Sequence, residues 1–345
     1  MLKTLTKLAK GRRKIPVLNT IRLKDGIATA TDLDVYVSVP VSGYSHADED
    51  KTYHAHGFDK GLVFKTEIPA TDFPEMNKKG RVCGEAELNA AQIEAFKWVF
   101  LAASKKETPY YLNGIYFGAE DIVATDGNRL HSFKHPVKWG LEAEAKPKKK
   151  PAAKKGKKAE ATEPAPERTP IKDAILPSGA VRIILSMLAE TKAKSFCIEF
   201  HDTLHFTCRI PGGAVIEGKL IDATYPDIKN SIPTHPAENR TPFNPAEIKA
   251  IMPELEVLSK VSGTHHRKLI ISTEKGSAWL STSDPKSAKR FPISMNLPFT
   301  AGFNVKYLAE MCAGMMEYGD STTHFKVTDR RGGIEKMGVI MPCRV

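Results

Sequence analysis

Two aspartates that recur at equivalent points of the sequence are the first candidates for chemistry. Asp32 and Asp126 each follow a stretch that ends in Ala-Thr. Carboxylates of this kind could hold the divalent metals of a nuclease-like site. The same aspartates also suit a tight turn, because an aspartate placed after a strand accepts hydrogen bonds from the backbone that follows it. Since recurrence by duplication indicates a requirement of the fold, we favour the turn over the metal site.

The pair His54 and His56 could ligate a metal if both side chains lie on one face of a strand. No carboxylate or cysteine partner accompanies them, so a polar loop is the better interpretation. Common catalytic motifs are also missing, since the sequence has no Walker loop, G-x-S-x-G, H-E-x-x-H or G-x-G-x-x-G. The sequence therefore predicts no catalytic residue, no metal and no cofactor, and the protein is expected not to be an enzyme.

The basic residues favour a polyanionic partner, most simply nucleic acid. The net charge is +11, of which residues 141–168 carry +4 and the rest of the chain +7. The first segment has lysines at helical spacing opposite a leucine face, followed by a basic loop. The candidate DNA-binding cations there are Lys3, Lys7, Lys10, Arg12, Arg13 and Lys14. Cations without base-reading partners suit non-specific contact with duplex phosphates; solvated helix faces are the alternative.

The elements that must position these residues are organised as a repeat. Leu18–Leu23 and Ala30–Asp32 recur as Leu112–Phe117 and Ala124–Asp126, both shifted by 94 residues. A weaker third copy begins at Lys268. We therefore predict three related domains in tandem, over residues 1–82, 83–236 and 237–345. Alternating strands such as residues 27–31 and 35–39, with a few helices, indicate an α+β fold with antiparallel sheets.

Four polar residues are predicted to cap helices, namely Asn89, Ser178, Asn244 and Asn304. The last of these helices is expected to carry the apolar stripe Leu308, Met311, Cys312 and Met315.

The amino-acid composition also predicts a disordered segment and the cellular compartment of the protein. Residues 141–168 consist almost entirely of Lys, Ala, Pro and Glu, so we expect a disordered insertion in the central domain, either solvated or touching phosphates. The five cysteines are scattered and include no C-x-x-C pair, which fits a reducing cytoplasm. No apolar run is long enough to span a membrane, and the N-terminus lacks the apolar core of a secretion signal.

Several phrases along the chain resemble one known family, the bacterial DNA sliding clamp, which is the beta subunit of DNA polymerase III. The phrases in the first two predicted domains are Arg13–Asn19, Ala30–Leu33, Tyr110–Gly114, Ala124–Leu130, Lys219–Asp222 and Tyr225–Asp227. Those in the third are Gly302–Val305 with Tyr307, and the terminal run Val339–Val345. They occur in the family's order over nearly the whole chain.

The resemblance implies a non-catalytic ring. Clamps of this family are head-to-tail homodimers of three-domain subunits, with antiparallel sheets outside and helices lining a central hole. The ring encircles duplex DNA and tethers the polymerase. Family positions that contact DNA match Arg12, Tyr110 and Tyr111.

The resemblance also implies a cleft between the second and third domains, where polymerase, clamp loader and repair proteins insert a short hydrophobic peptide. The matching positions in the second domain are Leu112, Thr125, Gly127, Asn128, Arg129, Leu130 and Pro226. Those in the third domain are Asn304, Tyr307, Val339, Ile340, Met341, Pro342, Arg344 and Val345.

The chain departs from the family pattern in both the cleft and the first domain. Asn128 replaces the usual histidine, Asn230-Ser231 an Arg-Val pair, and Cys343 a methionine. The first domain lacks its opening strand, and we expect the second helix and nearby strands to be missing between Val41 and Ile68. A phage-encoded or otherwise divergent clamp fits these departures. The alternative is a clamp-like peptide-binding protein that does not close a ring.

Overall fold

The structure, a computed structural model, describes residues 1–11, 14–42, 50–76, 80–140, 171–262, 268–274, 277–282 and 290–344. Arg12, Arg13, the lysine-rich segment 141–168 and Val345 lie outside the described residues. The chain divides into two compact units. Unit 1 comprises Met1–Glu87, Val137–Ala174 and Arg182–Leu220, and unit 2 comprises Leu88–Pro136, Ile175–Val181 and Ile221–Val345.

The described residues form five α-helices and twenty-one strands. The helices are α1 Leu2–Ala9, α2 Ala90–Phe100, α3 Ser178–Thr191, α4 Pro245–Ser262 and α5 Val305–Glu310. The first ten strands are β1 Thr20–Lys24, β2 Ile27–Thr31, β3 Val35–Pro40, β4 Lys51–His54, β5 Val82–Asn89, β6 Gly114–Phe117, β7 Asp121–Thr125, β8 Arg129–Lys134, β9 Lys138–Trp139 and β10 Ala174–Pro177. The others are β11 Ser195–His201, β12 His205–Ile210, β13 Ala214–Lys219, β14 Arg240–Phe243, β15 Lys268–Glu274, β16 Ser277–Thr282, β17 Arg290–Ile293, β18 Ala301–Asn304, β19 Gly314–Glu317, β20 Phe325–Asp329 and β21 Lys336–Ile340.

Two large sheets each combine strands from two of the predicted domains. One sheet has the order β4-β1-β2-β3-β13-β12-β11-β5-β9, and the other β10-β6-β7-β8-β21-β20-β19-β14. A third sheet has the order β17-β16-β15-β18. The joins are antiparallel, with Tyr36 opposite Glu217 between β3 and β13, and Leu130 opposite Val339 between β8 and β21. Because these sheets continue across the predicted boundaries, the two units do not follow them, and the three-domain division stays a prediction.

Helix α1 shows how a short amphipathic segment covers a sheet while leaving its lysines in solvent. Leu5 and Leu8 are buried, and the helix packs on β1, β2 and β3. Lys3 and Lys7 are exposed on the other face. Spacing of three and four residues puts each set on one side of the helix, so the predicted two-faced helix is confirmed.

Three of the four predicted caps are observed. The Asn89 side chain accepts hydrogen bonds from Ala91 N and Gln92 N, and the Gln92 side-chain oxygen accepts one from Asn89 N, which completes a capping box. Asn244 accepts from Ala246 N, and Asn304 from Lys306 N and Tyr307 N. The prediction for Ser178 is wrong. Helix α3 begins at Ser178 itself, and its buried hydroxyl has no hydrogen-bond partner within the described part of the chain.

Two other expectations need correction. Helix α5 ends at Glu310, so Met315 lies on β19 and is exposed, although Met311 and Cys312 remain buried just beyond the helix. The interval between Val41 and Ile68 does contain a strand, since β4 pairs with β1; its alternation is too short to stand out in the sequence. No helix within the described residues is long and apolar enough to cross a membrane.

Candidate functional site

The turn that links β7 to β8 is the scaffold of the candidate peptide cleft in unit 2. The Thr125 hydroxyl donates to the carbonyl oxygen of Arg129 at 2.6 Å and accepts from Gly127 N at 3.1 Å. Asp126 Oδ1 accepts from Asn128 N at 3.0 Å and from Arg129 N at 3.2 Å. The carboxylate therefore performs the predicted turn chemistry. In the part of the chain described here, no three His, Cys, Asp or Glu side chains cluster as metal ligands would.

Arg129 ties this turn to two helices. Its guanidinium is 4% exposed and pairs with Asp126 at 3.3 Å and with Glu310 at the end of α5. It also donates to the carbonyl oxygen of Leu101, just after α2. The guanidinium carbon lies 4.2 Å from the ring centre of Tyr307, a cation–π arrangement. Arg129 thus lies in the predicted cleft as a buried cross-link rather than as a free donor.

Trp98 provides a second connection between α2 and α5, in addition to Arg129. Trp98 Nε1 donates to the carbonyl oxygen of Glu310 at 2.7 Å, and the Trp98 ring stacks on His131 with centroids 4.2 Å apart. Burial lowers the pKa of His131 to about 3, and the nearby Arg129 charge acts in the same direction. His131 is therefore a neutral, stacked part of the wall at ordinary pH.

The apolar part of the candidate cleft is a hydrophobic cluster where β7, β8 and β21 meet. Val123, Leu130 and Val339 form its buried floor. Four partly buried side chains surround that floor, namely Tyr116, Ile228, Ile232 and Met337. Leu112 and Tyr225 form an adjoining cluster, with the Tyr225 ring stacked on Tyr116 at 4.6 Å between centroids. Partly buried apolar side chains on a buried floor are what an extended apolar peptide requires.

The terminal run is held by two backbone hydrogen bonds to neighbouring segments of unit 2. Met341 N donates to the carbonyl oxygen of Asn128 at 2.9 Å, and Cys343 N to that of Gly302 at 2.8 Å. Met341 is 43% exposed, whereas Ile340 is fully buried and packs in the core around Phe303 and Phe325. Pro342 is half-buried and Arg344 and Pro226 are exposed. Val339 and Ile340 are thus both buried, and the run becomes accessible to solvent only from Met341 onward.

A cavity of about 460 Å³ borders the turn between β7 and β8. It is lined by Ala103, Ser104, Lys105, Lys106, Asp126, Asn128, Arg129, Asn304, Val305, Lys306 and Tyr307. Burial, and after it the nearby Asp126 carboxylate, raise the pKa of the Tyr307 phenol. The predicted residues Asn128, Asn304 and Tyr307 thus meet at this cavity.

The candidate DNA-binding residues are distributed over both units. In unit 1, Lys3, Lys7 and Lys14 are exposed, and Lys10 Nζ lies 3.8 Å from Asp59. In unit 2, Tyr110 is 57% exposed and meets Tyr111 edge-on with centroids 6.0 Å apart. Within each unit these side chains are available to a ligand. Arg12 and Arg13, predicted to join them, lie outside the described residues.

The two histidines considered for a metal lie beside a cavity in unit 1. His54 ends β4 and His56 follows it in the loop. Both line a cavity of about 620 Å³ whose wall also includes Phe64. No third ligand-bearing side chain accompanies them in the described residues.

Sequence reasoning missed several residues that pack beside the candidate cleft. Tyr116, Ile228, Ile232 and Met337 are ordinary apolar residues without a motif, and only their partial burial around Leu130 identifies them. The sequence motif nearest to any of them is the one around Tyr225, and Ile228 lies three residues after Tyr225. Trp98 and Glu310 are brought to Arg129 and His131 only by the fold.

The sequence and the fold are similar to those of known bacterial proteins. The chain is 25% identical over 354 aligned residues to the Beta sliding clamp of two strains of Caulobacter vibrioides, covering 87% of this chain and 84% of that protein. No family model matches the chain.

Solved structures of sliding clamps match the fold over its whole length. The sliding clamp (DNA polymerase III subunit beta) of Bartonella birtlesii, bound to griselimycin, has a TM-score of 0.75 and 22% identity, covering 100% of this chain and 96% of that one. The beta chain of DNA polymerase III from Streptococcus pneumoniae has a TM-score of 0.75 and 16% identity, with the same coverage. The sliding clamp of Caulobacter crescentus has a TM-score of 0.72 and 21% identity, again with that coverage. The chain therefore has the fold of bacterial sliding clamps and a sequence similar to that of one such clamp.

Proposed function

We propose that this protein is a DNA sliding clamp that encircles duplex DNA and tethers the replicative DNA polymerase and other clamp-binding proteins. The observation that carries the proposal is the fold match, which extends over 100% of the chain at a TM-score of 0.75 to a DNA polymerase III subunit beta. The curated relatives are themselves named Beta sliding clamps. The proposed role makes and breaks no bond, so it needs no catalytic residue, metal or cofactor.

Exposed lysines support contact with the DNA backbone. Lys3 and Lys7 are exposed on α1, and their side chains form no ion pair with the described residues. Such ammonium groups attract phosphates through counterion release, independently of base sequence. A sliding protein needs weak contacts of this kind, because the topological link, rather than affinity, holds it on DNA. Tyr110 and Tyr111 are proposed to add stacking contacts.

The groove in unit 2 supports partner binding through a short hydrophobic peptide. Its buried floor and partly buried rim could take apolar side chains, and the exposed Met341 could close over them. We propose that polymerase and clamp loader compete for this groove. Deletion of residues 341–345 should abolish binding of such a peptide while leaving the fold intact, because these residues follow the last strand. Retained binding would show that the cleft lies elsewhere.

The proposed ring is a head-to-tail homodimer of three-domain subunits. Its domains would be residues 1–82, 83–236 and 237–345, with helices inside and sheets outside. The five free cysteines fit a reducing cytoplasm, where replication takes place. The alternative is a clamp-like protein that binds peptides without closing.

Sedimentation of the full chain at micromolar concentration separates these two functions. A ring predicts a dimer of twice the 38.0 kDa chain mass, whereas a monomer at every concentration would favour the non-closing protein.

A further inference from the structure

The cavity beside the Arg129 turn holds an excess of positive charge. Lys105 and Lys106 enter it from the loop after α2, and Lys306 from the first turn of α5. All three lysines are exposed, and none forms an ion pair with another described residue. Glu107, the next residue along the chain from Lys106, does not line the cavity.

The one carboxylate in the cavity wall is already occupied. Asp126 accepts hydrogen bonds from two backbone N–H groups and pairs with Arg129. Arg129 is in turn held by Glu310 and by the Leu101 carbonyl oxygen. Asp126 and Arg129 therefore neutralise each other, and the three lysines remain uncompensated. A concave surface of one sign raises the local concentration of ligands of the opposite sign.

The position of the cavity identifies the kind of anion. Asn128, Arg129 and Tyr307 line it, and they are also residues of the proposed peptide cleft. Asn128 also accepts a hydrogen bond from Met341 N through its carbonyl oxygen, so the same turn borders the cavity and contacts the terminal run. An extended chain advances about 3.3 Å per residue. A peptide anchored in the groove would therefore place its neighbouring side chains in the cavity.

We propose that this cavity binds carboxylate side chains of the partner peptide, so that the partners of this clamp carry Asp or Glu beside their apolar anchor. The proposal rests on the peptide-binding role proposed above and adds the charge of the ligand to it. A DNA phosphate offers the same charge and is the competing outcome of the test.

The test uses the full chain and two fluorescent synthetic peptides with the same leucine and phenylalanine anchor, flanked by two Asp in one and two Asn in the other. Fluorescence anisotropy should show about tenfold tighter binding of the acidic peptide at low salt, because three exposed ion pairs together contribute about that much. The preference should shrink as sodium chloride is raised, because salt screens exposed charges.

Two triple variants distinguish the cavity from general charge. K105Q/K106Q/K306Q should bring the ratio of the two affinities close to one while leaving binding of the Asn peptide unchanged. K3Q/K7Q/K249Q removes the same charge from lysines outside the cavity and should leave the ratio unchanged. Retention on DNA should show the reverse, falling in the second variant and not in the first.

Three results would overturn the proposal. If the unmodified protein binds both peptides equally well, the cavity does not recognise carboxylates, although the groove does bind peptides. If it binds neither peptide, the proposed cleft itself is wrong. If the first triple variant loses DNA retention and keeps its peptide preference, the lysines contact phosphates instead.

Discussion

Two copies of one turn, Thr31–Val35 in unit 1 and Thr125–Arg129 in unit 2, share their hydrogen bonds and differ in what they carry. In the first copy the Thr31 hydroxyl donates to the Val35 carbonyl oxygen and accepts from Leu33 N, and Asp32 accepts from Asp34 N and Val35 N. In the second copy Thr125 and Asp126 make the same four bonds. The threonine and the aspartate therefore belong to the fold.

The other positions of the turn differ between the two copies, and in the second copy they lie in the candidate peptide cleft. The third residue has positive φ in both copies, 79° at Leu33 and 86° at Gly127. The fifth residue is the buried Val35 in one copy and the cross-linking Arg129 in the other. Two residues beyond it, Val37 corresponds to His131. The comparison indicates that both copies keep the same turn, whereas only in the second copy do residues of the candidate cleft surround it.

Removal of Arg129 should have the largest effect. Arg129→Ala leaves the Glu310 and Asp126 carboxylates without their buried partner, so we expect a loss of about 3–5 kcal/mol in the free energy of unfolding, measured by urea denaturation. Arg209→Ala is the matched control, because Arg209 pairs with Glu199 while 54% exposed and should cost less than about 1 kcal/mol. Equal losses would show that Arg129 is not a cross-link.

His131 should make the second copy sensitive to acid. Its pKa in the folded chain is about 3, below the ordinary value of 6.5, so the unfolded chain takes up the proton first. Stability is then complete above about pH 6.5 and declines as the pH falls toward 3.

The variant His131→Val, which copies Val37, should have a flatter decline in urea midpoint between pH 7 and 4. Burial also lowers the pKa of His135, so part of the slope should remain. Identical pH profiles for the two proteins would contradict this assignment.

The shared threonines should have similar effects in the two copies. Thr31→Val and Thr125→Val each remove two hydrogen bonds of the turn, which should cost about 1–3 kcal/mol in urea denaturation. Thr→Ser at either position keeps the hydroxyl and serves as the control. A large loss in one copy alone would mean that the turns are not equivalent.

The smallest effects should come from the third residue, and with opposite signs. Leu33→Gly relieves a left-handed conformation and should stabilise by about 1 kcal/mol, since Leu33 is already 41% exposed. Gly127→Ala should destabilise by about 1 kcal/mol through the backbone alone, because an added Cβ would meet no atom within 4 Å. Urea midpoints of the two variants should therefore move in opposite directions.

Local chemistry explains what could be predicted from the sequence. The turn at Asp126 and the cap at Asn89 depend on hydrogen bonds within a few residues, so residue type and spacing suffice to predict them. The α5 stripe failed at Met315 because the backbone becomes extended at Met311, with ψ 161°, before the periodic pattern ends. Ser178 has the residue type of a cap, but the strand before it continues directly into the helix.

The site depends on long-range contacts, and these could not be predicted. Glu310 lies 181 residues from Arg129, and neither segment has a sequence pattern that predicts this ion pair. The rim residues Ile228 and Ile232 belong to an irregular segment without periodicity. The lysines of the cavity come from two elements far apart in the chain. The resemblance to a known family could indicate where a cleft lies. The charge of the cavity could not be predicted, because it depends on which residues the fold brings together in the cavity wall.

Retention on circular and linear duplex DNA tests the central claim most directly. Protein assembled on a circle should stay bound during gel filtration at moderate salt, and should be released once a restriction enzyme cuts the circle. Proteins bound tightly at both ends of the linear DNA should restore retention, because they block sliding. Equal retention on circular and open linear DNA, or release from the intact circle, would contradict a ring that encloses the duplex.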